Sequence, residues 1–428
     1  MNLSARESTV RGTVLVVGGG ISGMTVAIEA AESGLDAHLV ESSPSLGGRV
    51  AQLDKYFPKL CPPICGLEIN LRRIRVNPRI HVHTLSRLVA LSGSPGHFRA
   101  VVEHAPRFIN DQCTACGACV EACPVERDNT FDFGMSRTKA VSLPHPMAYP
   151  PRYAIDEQVC KLGDCAKCVA ACPVGAVDLS MKPRTTEFDV GAVVVATGWK
   201  PYDATRLSNL GFGTVKDVIT NMMFERMCST TGPTGGKIQR PSDGKEPRSV
   251  VFVQCAGSRD ENHLPYCSGV CCMATLKQTT YVRDRLPDAK VRVFYIDVRS
   301  PGRLEDFYRK AQAQEGVTFE RGKVARVTDN GKGSVRVTAE DTLEGLVREV
   351  DADLVVLATG LVPSTGPGDL PFNALHDESG FGVNDLQGTG IVFAGCAKRP
   401  LDVSSSVQDA TGAALRAIQS NARRASHG

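Results

Sequence analysis

Residues Cys113 to Cys172 hold eight of the chain's sixteen cysteines. They read Cys113-Thr-Ala-Cys116-Gly-Ala-Cys119-Val-Glu-Ala-Cys123-Pro124 and Cys160-Lys-Leu-Gly-Asp-Cys165-Ala-Lys-Cys168-Val-Ala-Ala-Cys172-Pro173. Closely spaced thiolates wrap one cubane, and the last cysteine, followed by proline, turns away to reach a neighbouring cluster. The spacing predicts one 4Fe–4S cluster on Cys113, Cys116, Cys119 and Cys172, and a second on Cys160, Cys165, Cys168 and Cys123. The gap between Cys160 and Cys165 is longer than the usual one and should only enlarge a loop. Zinc, which paired CxxC also holds, is the competing reading. Two complete runs, each closed by Cys-Pro, weigh against it.

A second group of cysteines lies in Cys255-Ala-Gly-Ser-Arg-Asp-Glu-Asn-His-Leu-Pro-Tyr-Cys267-Ser-Gly-Val-Cys271-Cys272. Cys255, Cys267, Cys271 and Cys272 make up the four thiolates that a third, irregular 4Fe–4S cluster needs. Buried thiols or a redox disulfide are the alternatives, although adjacent Cys271 and Cys272 are poorly placed to bridge each other. His263 is a possible replacement ligand and reads better as a surface residue. Cys61-Pro-Pro-Ile-Cys65 stays open between structural thiols, a flavin-proximal redox pair and extra cluster ligands. Cys228 reads as a spectator in a polar loop.

These cysteines need a scaffold, and the glycines supply its signature. Thr13-Val-Leu-Val-Val17 is an apolar strand, followed by Gly18-Gly-Gly20-Ile-Ser-Gly23 and a helical stretch from Met24 to Ser33. Gly18, Gly20 and Gly23 form GxGxxG between strand and helix, where the backbone can approach a pyrophosphate at the helix N-terminus. A second strand, Ala37 to Val40, ends at Glu41, where a ribose-binding carboxylate belongs. Gly47-Gly48-Arg49 follows. This continuation resembles the FAD-binding module of the two-dinucleotide-domain flavoprotein reductases. Ala192 to Gly198 and Leu354 to Gly360 are apolar runs ending in Ala-Thr-Gly, and they resemble that family's paired crossing strands. The likeness implies FAD contacts at Gly18, Gly20, Gly23, Glu41, Gly47, Gly48, Arg49, Thr197, Gly198, Gly360 and Gly395. In those reductases an acid ends the strand held here by Gly390 to Gly395; here Cys396 stands there and Asp402 follows.

The expected fold is α/β, with two Rossmann-like dinucleotide-binding modules of thioredoxin-reductase type and an inserted two-cluster ferredoxin-like domain. The first FAD segment takes 12–105 and the insert 106–182, with a proline-rich loop, Asp128 to Pro151, covering it. The FAD domain returns and crosses over at 183–245. A second Rossmann-like domain takes 246–350, its nicotinamide turn replaced by the Cys-rich one. The last FAD segment takes 351–424.

Composition bounds the function. The chain has 428 residues, too many for one ordinary core, with 42% hydrophobic and 22% charged residues, as folded proteins have. A net charge of +3 gives no case for nucleic acid, and the basic stretch Leu71 to Arg79 reads as a solvated helix face. The polar opening Met1 to Glu7 is not a signal peptide, and cysteines committed to clusters point to a reducing cytoplasm. No run of eighteen apolar residues occurs, so membrane association would come through a partner.

Taken together, the architecture resembles the A subunit of heterodisulfide reductase, which shares the pattern from Cys255 to Cys272. It resembles more closely the A subunit of the quinone-interacting membrane-bound oxidoreductase complex, through Gly48 to Pro63, Gly257 to Cys267 and Ala196 to Asp203. That resemblance implies a cytoplasmic FAD and iron–sulfur oxidoreductase subunit, peripheral at the inner membrane. Its partners would be a membrane haem subunit together with a second flavin and iron–sulfur subunit. The complex would exchange electrons between the quinone pool and adenylylsulfate reductase in dissimilatory sulfur metabolism. No residue is expected to act as an acid–base catalyst. The rival readings are a heterodisulfide reductase-like or flavin-bifurcating subunit, a self-sufficient ferredoxin–NAD(P)H reductase, and a scaffold with structural clusters.

Overall fold

The computed structural model describes residues 12–57, 60–384 and 388–426. The polar opening Met1 to Glu7, and Pro58 and Lys59 of the resemblance stretch, lie outside the described residues.

Strand Thr13–Val17 pairs in parallel with Ala192–Val195 on one side and Asp36–Glu41 on the other. Ile391–Phe393 and Ile80–Thr84 extend the sheet to five strands, all parallel. A parallel sheet is covered on both faces, so its strands are apolar throughout rather than alternating. Val193, Val194 and Val195 accordingly have no exposed surface. Burying each is worth about 1.5–3 kcal/mol. Helices Ile21–Glu32 and Val403–Ser426 cover one face. An antiparallel sheet of Ser86–Ser94, His97–His104 and Arg184–Val190 contributes Leu88, Phe98 and Val102 to a cluster with Leu15 and Val193.

The second module repeats the plan. Its parallel sheet runs Val218–Thr220, Leu354–Thr359, Ser249–Ala256, Lys290–Tyr295 and Val317–Arg321, with an antiparallel sheet over 324–352 beside it. The chain passes between modules along two antiparallel strands, Trp199–Pro201 and Leu361–Pro363. Residues 218–220 and 354–359, which the sequence grouped with the FAD segments, therefore stand in the second sheet. Their hydrogen-bond partners decide this: Val218 pairs with Val355, and Val355 with Val251.

Between the cysteine runs the sequence predicted a loop. The structure has two short hairpins there, Glu126–Asp128 with Arg137–Lys139 and Val141–Ser142 with Ala154–Ile155. Helix Asn221–Cys228 ties the parts together. The Arg226 guanidinium meets the Asp132 carboxylate of the insert at 2.8 Å, and Glu225 meets Lys277 of the second module at 2.9 Å. All four side chains are buried. Cys228, which the sequence placed in a polar loop, instead ends this helix, fully buried.

Candidate functional site

A cleft of about 760 Å³ opens at the C-terminal end of the first sheet, within the size range of a cofactor pocket. Gly18 and Gly20 form its floor at the N-terminus of helix Ile21–Glu32. Gly18 sits at φ +108°, and a Cβ there would come 2.4 Å from the Ala196 carbonyl oxygen. Gly23 does not line the cleft. It lets the helix close on the strand, since a Cβ would fall 1.8 Å from the Gly18 carbonyl oxygen. These are the separate tasks that the motif gives its first and third glycines. Glu41 ends its strand at the cleft, where one carboxylate oxygen accepts from the Gly19 N–H at 2.6 Å and the other from the Ser43 N–H at 2.7 Å.

Gly48 and Arg49 line the cleft too, while Gly47 stands just behind, its N–H donating to the Gly19 carbonyl at 2.9 Å. Arg49 donates to the Trp199 carbonyl at 3.2 Å and to Gln52 at 2.9 Å. Burial lowers its pKa from the usual arginine value. Thr197 and Gly198 line the opposite wall, with the Thr197 hydroxyl 2.7 Å from that of Thr365. Gly395 is one residue outside the lining, and the buried Cys396 thiol takes that place, bonded to the Leu401 carbonyl at 3.3 Å. Asp402 does not line the cleft; it accepts from the Ser405 N–H in the first turn of the last helix. Nor does Asp409 line the cleft; its carboxylate accepts from the Gly395 N–H at 2.8 Å and meets Lys398 at 2.7 Å. Gly360 lies away from the cleft. It follows a strand of the second sheet, and the next residue's N–H bonds Ser268 inside the Cys-rich turn.

The insert brings cysteines of its two runs near one another. Burial and then the neighbouring Cys113 push the Cys119 thiol up to about 11, with Cys116 and Cys168 adding to the effect. Burial and then Cys160 raise Cys168, and Cys123 from the first run adds to that. Cys123 therefore lies near Cys168 of the second run. Cys172 is carried back toward the first: the Ala176 N–H donates to its sulfur at 3.2 Å, and the Ala176 carbonyl accepts from Asn110, three residues before Cys113. The two short helices, Ala118–Ala122 and Lys167–Ala171, start alike, each from a left-handed residue, Gly117 and Ala166. The longer gap after Cys160 is a 3-10 turn, Leu162–Asp164, with the Leu162 N–H on the Cys160 sulfur at 3.3 Å.

Zinc would need its thiolates about 2.3 Å from one ion. A cubane spreads its thiolates further, because each binds a different iron. The backbone N–H groups aimed at sulfur suit the same occupant, since they tune a cluster's potential.

Cys255, Cys267, Cys271 and Cys272 also gather. Burial raises the Cys255 thiol to about 11, with Cys272 and Cys267 contributing, and raises Cys271 further, with the other three contributing. A bound cation reverses this penalty by deprotonating the thiols outright. Cys255 adopts φ +55°, a strained geometry for a residue with a Cβ. His263 is bonded to the Tyr202 hydroxyl at 2.8 Å. Cys61 and Cys65 flank the start of helix Ile64–Val76, near Tyr56 and outside the cleft lining; Cys65 is exposed.

Comparison with known proteins agrees with this anatomy. Residues 13–106 match the family of FAD dependent oxidoreductases, and residues 106–126 match the 4Fe-4S binding domain. The A subunit of the H(2):CoB-CoM heterodisulfide,ferredoxin reductase of Methanothermobacter marburgensis is 39% identical over 428 residues, taking in 97% of this chain and 65% of that protein. The A subunit of the Ferredoxin/F(420)H(2)-dependent CoB-CoM heterodisulfide reductase of Methanosarcina acetivorans is 39% identical over 431 residues, with 97% and 54% covered. The chain is similar to these heterodisulfide reductase A subunits. It spans between half and two thirds of the length of these relatives. Among solved structures, thioredoxin reductase of T. acidophilum aligns over 95% of this chain and 97% of its own, with TM-score 0.53 at 15% identity. That of Lactococcus lactis aligns over 96% and 100%, with TM-score 0.52 at 13% identity. At such identities the likeness concerns the fold alone. The chain thus carries an FAD-dependent oxidoreductase fold of thioredoxin-reductase type with an iron–sulfur domain. Among the described residues no helix is long and apolar enough to cross a membrane.

Proposed function

We propose that this chain is an electron-transfer subunit of the heterodisulfide reductase A kind, holding FAD and three 4Fe–4S clusters. When bound, FAD exchanges electron pairs and the clusters single electrons, so the set converts one kind of transfer into the other. The chain's own residues bind and tune. Gly18, Gly20 and the N-terminus of helix Ile21–Glu32 receive the pyrophosphate, and Glu41 the ribose. Cys113, Cys116, Cys119 and Cys172 take one cluster; Cys160, Cys165, Cys168 and Cys123 take another; Cys255, Cys267, Cys271 and Cys272 take the third. The observation that carries this reading is the second module. Where a nicotinamide-dependent reductase would cradle a dinucleotide, four thiols gather at the end of strand Ser249–Ala256. Electrons would then enter and leave through clusters and partner proteins.

The 39% identity to heterodisulfide reductase A subunits favours a complex whose partner subunit reduces a disulfide. The narrower resemblance along Gly48 to Pro63 and Gly257 to Cys267 supports a second reading. There the partners are a membrane haem subunit together with a second flavin and iron–sulfur subunit, and the chain sits peripherally at the cytoplasmic face. Electrons would pass between quinone and adenylylsulfate reductase. Anaerobic isolation of the native complex, followed by flavin spectra on adding each donor, separates the two. Flavin reduction by a menaquinol analogue through a haem subunit supports the quinone reading. Flavin reoxidation by a heterodisulfide supports the first, and bleaching by NADH overturns both.

A further inference from the structure

The cleft is not built by the flavoprotein fold alone. One of its walls comes from the insert, from the stretch between the two cysteine runs: Arg127, Asn129, Phe131, Thr138, Leu143 and His145 all line it. Within that wall the Phe131 and His145 rings stack, with centroids 5.2 Å apart and planes 27° from parallel. Both rings are half-buried. A two-ring plate on the side of a dinucleotide cleft suits a cofactor whose flavin and adenine parts are both flat and aromatic.

The plate is held from behind. Its Phe131 carbonyl accepts from Gln52 at 3.0 Å, and the next residue, Asp132, is pinned by Arg226. The Arg226 guanidinium also lies over the Phe131 ring, 4.8 Å from its centroid. At the other end the Leu46 N–H donates to the Tyr149 carbonyl at 2.9 Å, and Arg107 reaches the Pro44 carbonyl at 2.6 Å. Each of these contacts runs from the insert, or its entry at Arg107, to another part of the fold, so the wall is fixed relative to the cleft floor. It hangs between Cys123 and Cys160, and the module around it has a small apolar core of Phe108, Ile109, Val141, Ile155, Ala176 and Val177. In so small a core the metal centres carry much of the folding energy.

We propose that the Phe131–His145 pair is a contact surface for FAD, so that flavin retention depends on the iron–sulfur insert. This builds on the reading of the cleft as a flavin site. FAD held by the first module alone would make the insert an electron relay only. FAD held against the insert makes it part of the binding site as well.

The test uses the full chain, reconstituted anaerobically with iron, sulfide and FAD. Wild type, Phe131→Ala and His145→Ala are compared for FAD affinity by flavin fluorescence, with iron per chain measured in parallel. The proposal expects each variant to bind FAD at least about tenfold more weakly, with iron unchanged. Affinities within about twofold of wild type, with iron retained, overturn it. Should a variant lose iron as well, hydrogen exchange on the wild type decides. Added FAD should protect amides across 126–145, and unchanged protection there overturns the proposal. A wild type that takes up no FAD at all fails at the prior step, the reading of the cleft.

Discussion

The Glu41 carboxylate accepts the Gly19 N–H at 2.6 Å, locking the end of the second strand to the middle of the glycine turn. One side chain thus shapes the turn and presents its charge at the cleft. Glu41→Ala removes both this bond and the one from Ser43. Hydrogen bonds to a charged group are worth about 1.5–3 kcal/mol. FAD affinity, titrated by fluorescence, should therefore fall by about tenfold or more, with iron content unchanged. Wild-type affinity in this variant would remove Glu41 from the cofactor site.

The Asp132–Arg226 pair makes a prediction about stability. Exposure of the two side chains is 6% and 2%, so either one alone is a buried, uncompensated charge. Asp132→Ala should destabilise the protein by about 3–5 kcal/mol, seen as a lower anaerobic melting temperature. Asp132→Ala combined with Arg226→Met should cost less than Asp132→Ala alone. If the single variant melts like wild type, the pair does not pin the insert.

A histidine cluster predicts acid sensitivity. His38 Nδ1 and His83 Nε2 stand 3.1 Å apart, with His81 stacked on His38, the Phe188 ring tilted against both, and His104 beside His83. Burial, and then the neighbouring histidines, lower His38 to about 4 and His83 to about 3, from an ordinary 6.5. The unfolded chain therefore binds more protons than the folded one below pH 6.5. Stability from this cluster is complete above that pH and is lost as pH falls toward 4 and 3. His83→Phe should flatten the dependence of melting temperature on pH across that window. An unchanged slope would contradict the assignment.

The local chemistry was legible in the sequence, because spacing along one turn decides it. The glycine turn falls at the head of its helix and Glu41 at the end of its strand, where their motifs put them. What the sequence did not show depends on distant partners. Asp409 reaches Gly395 from a helix that begins eight residues later, so no scan of the strand end finds it. Gly360 shares its Ala-Thr-Gly with Gly198, yet only Gly198 meets the cleft, because the two strands belong to different sheets. The stretch from Asp128 to Pro151 lacks long periodic runs and reads as a loop. Its role as a wall follows from Asp132 meeting Arg226, a pairing across 94 positions.

The most direct test of the account is anaerobic quantitation of iron, sulfide and FAD on the purified chain beside its Cys271→Ser variant. Four-iron clusters on all three thiol sets give about twelve irons per FAD in the wild type, falling toward about eight in the variant. About eight irons in both, with NADH bleaching the flavin, would contradict it and make the chain a nicotinamide-dependent reductase.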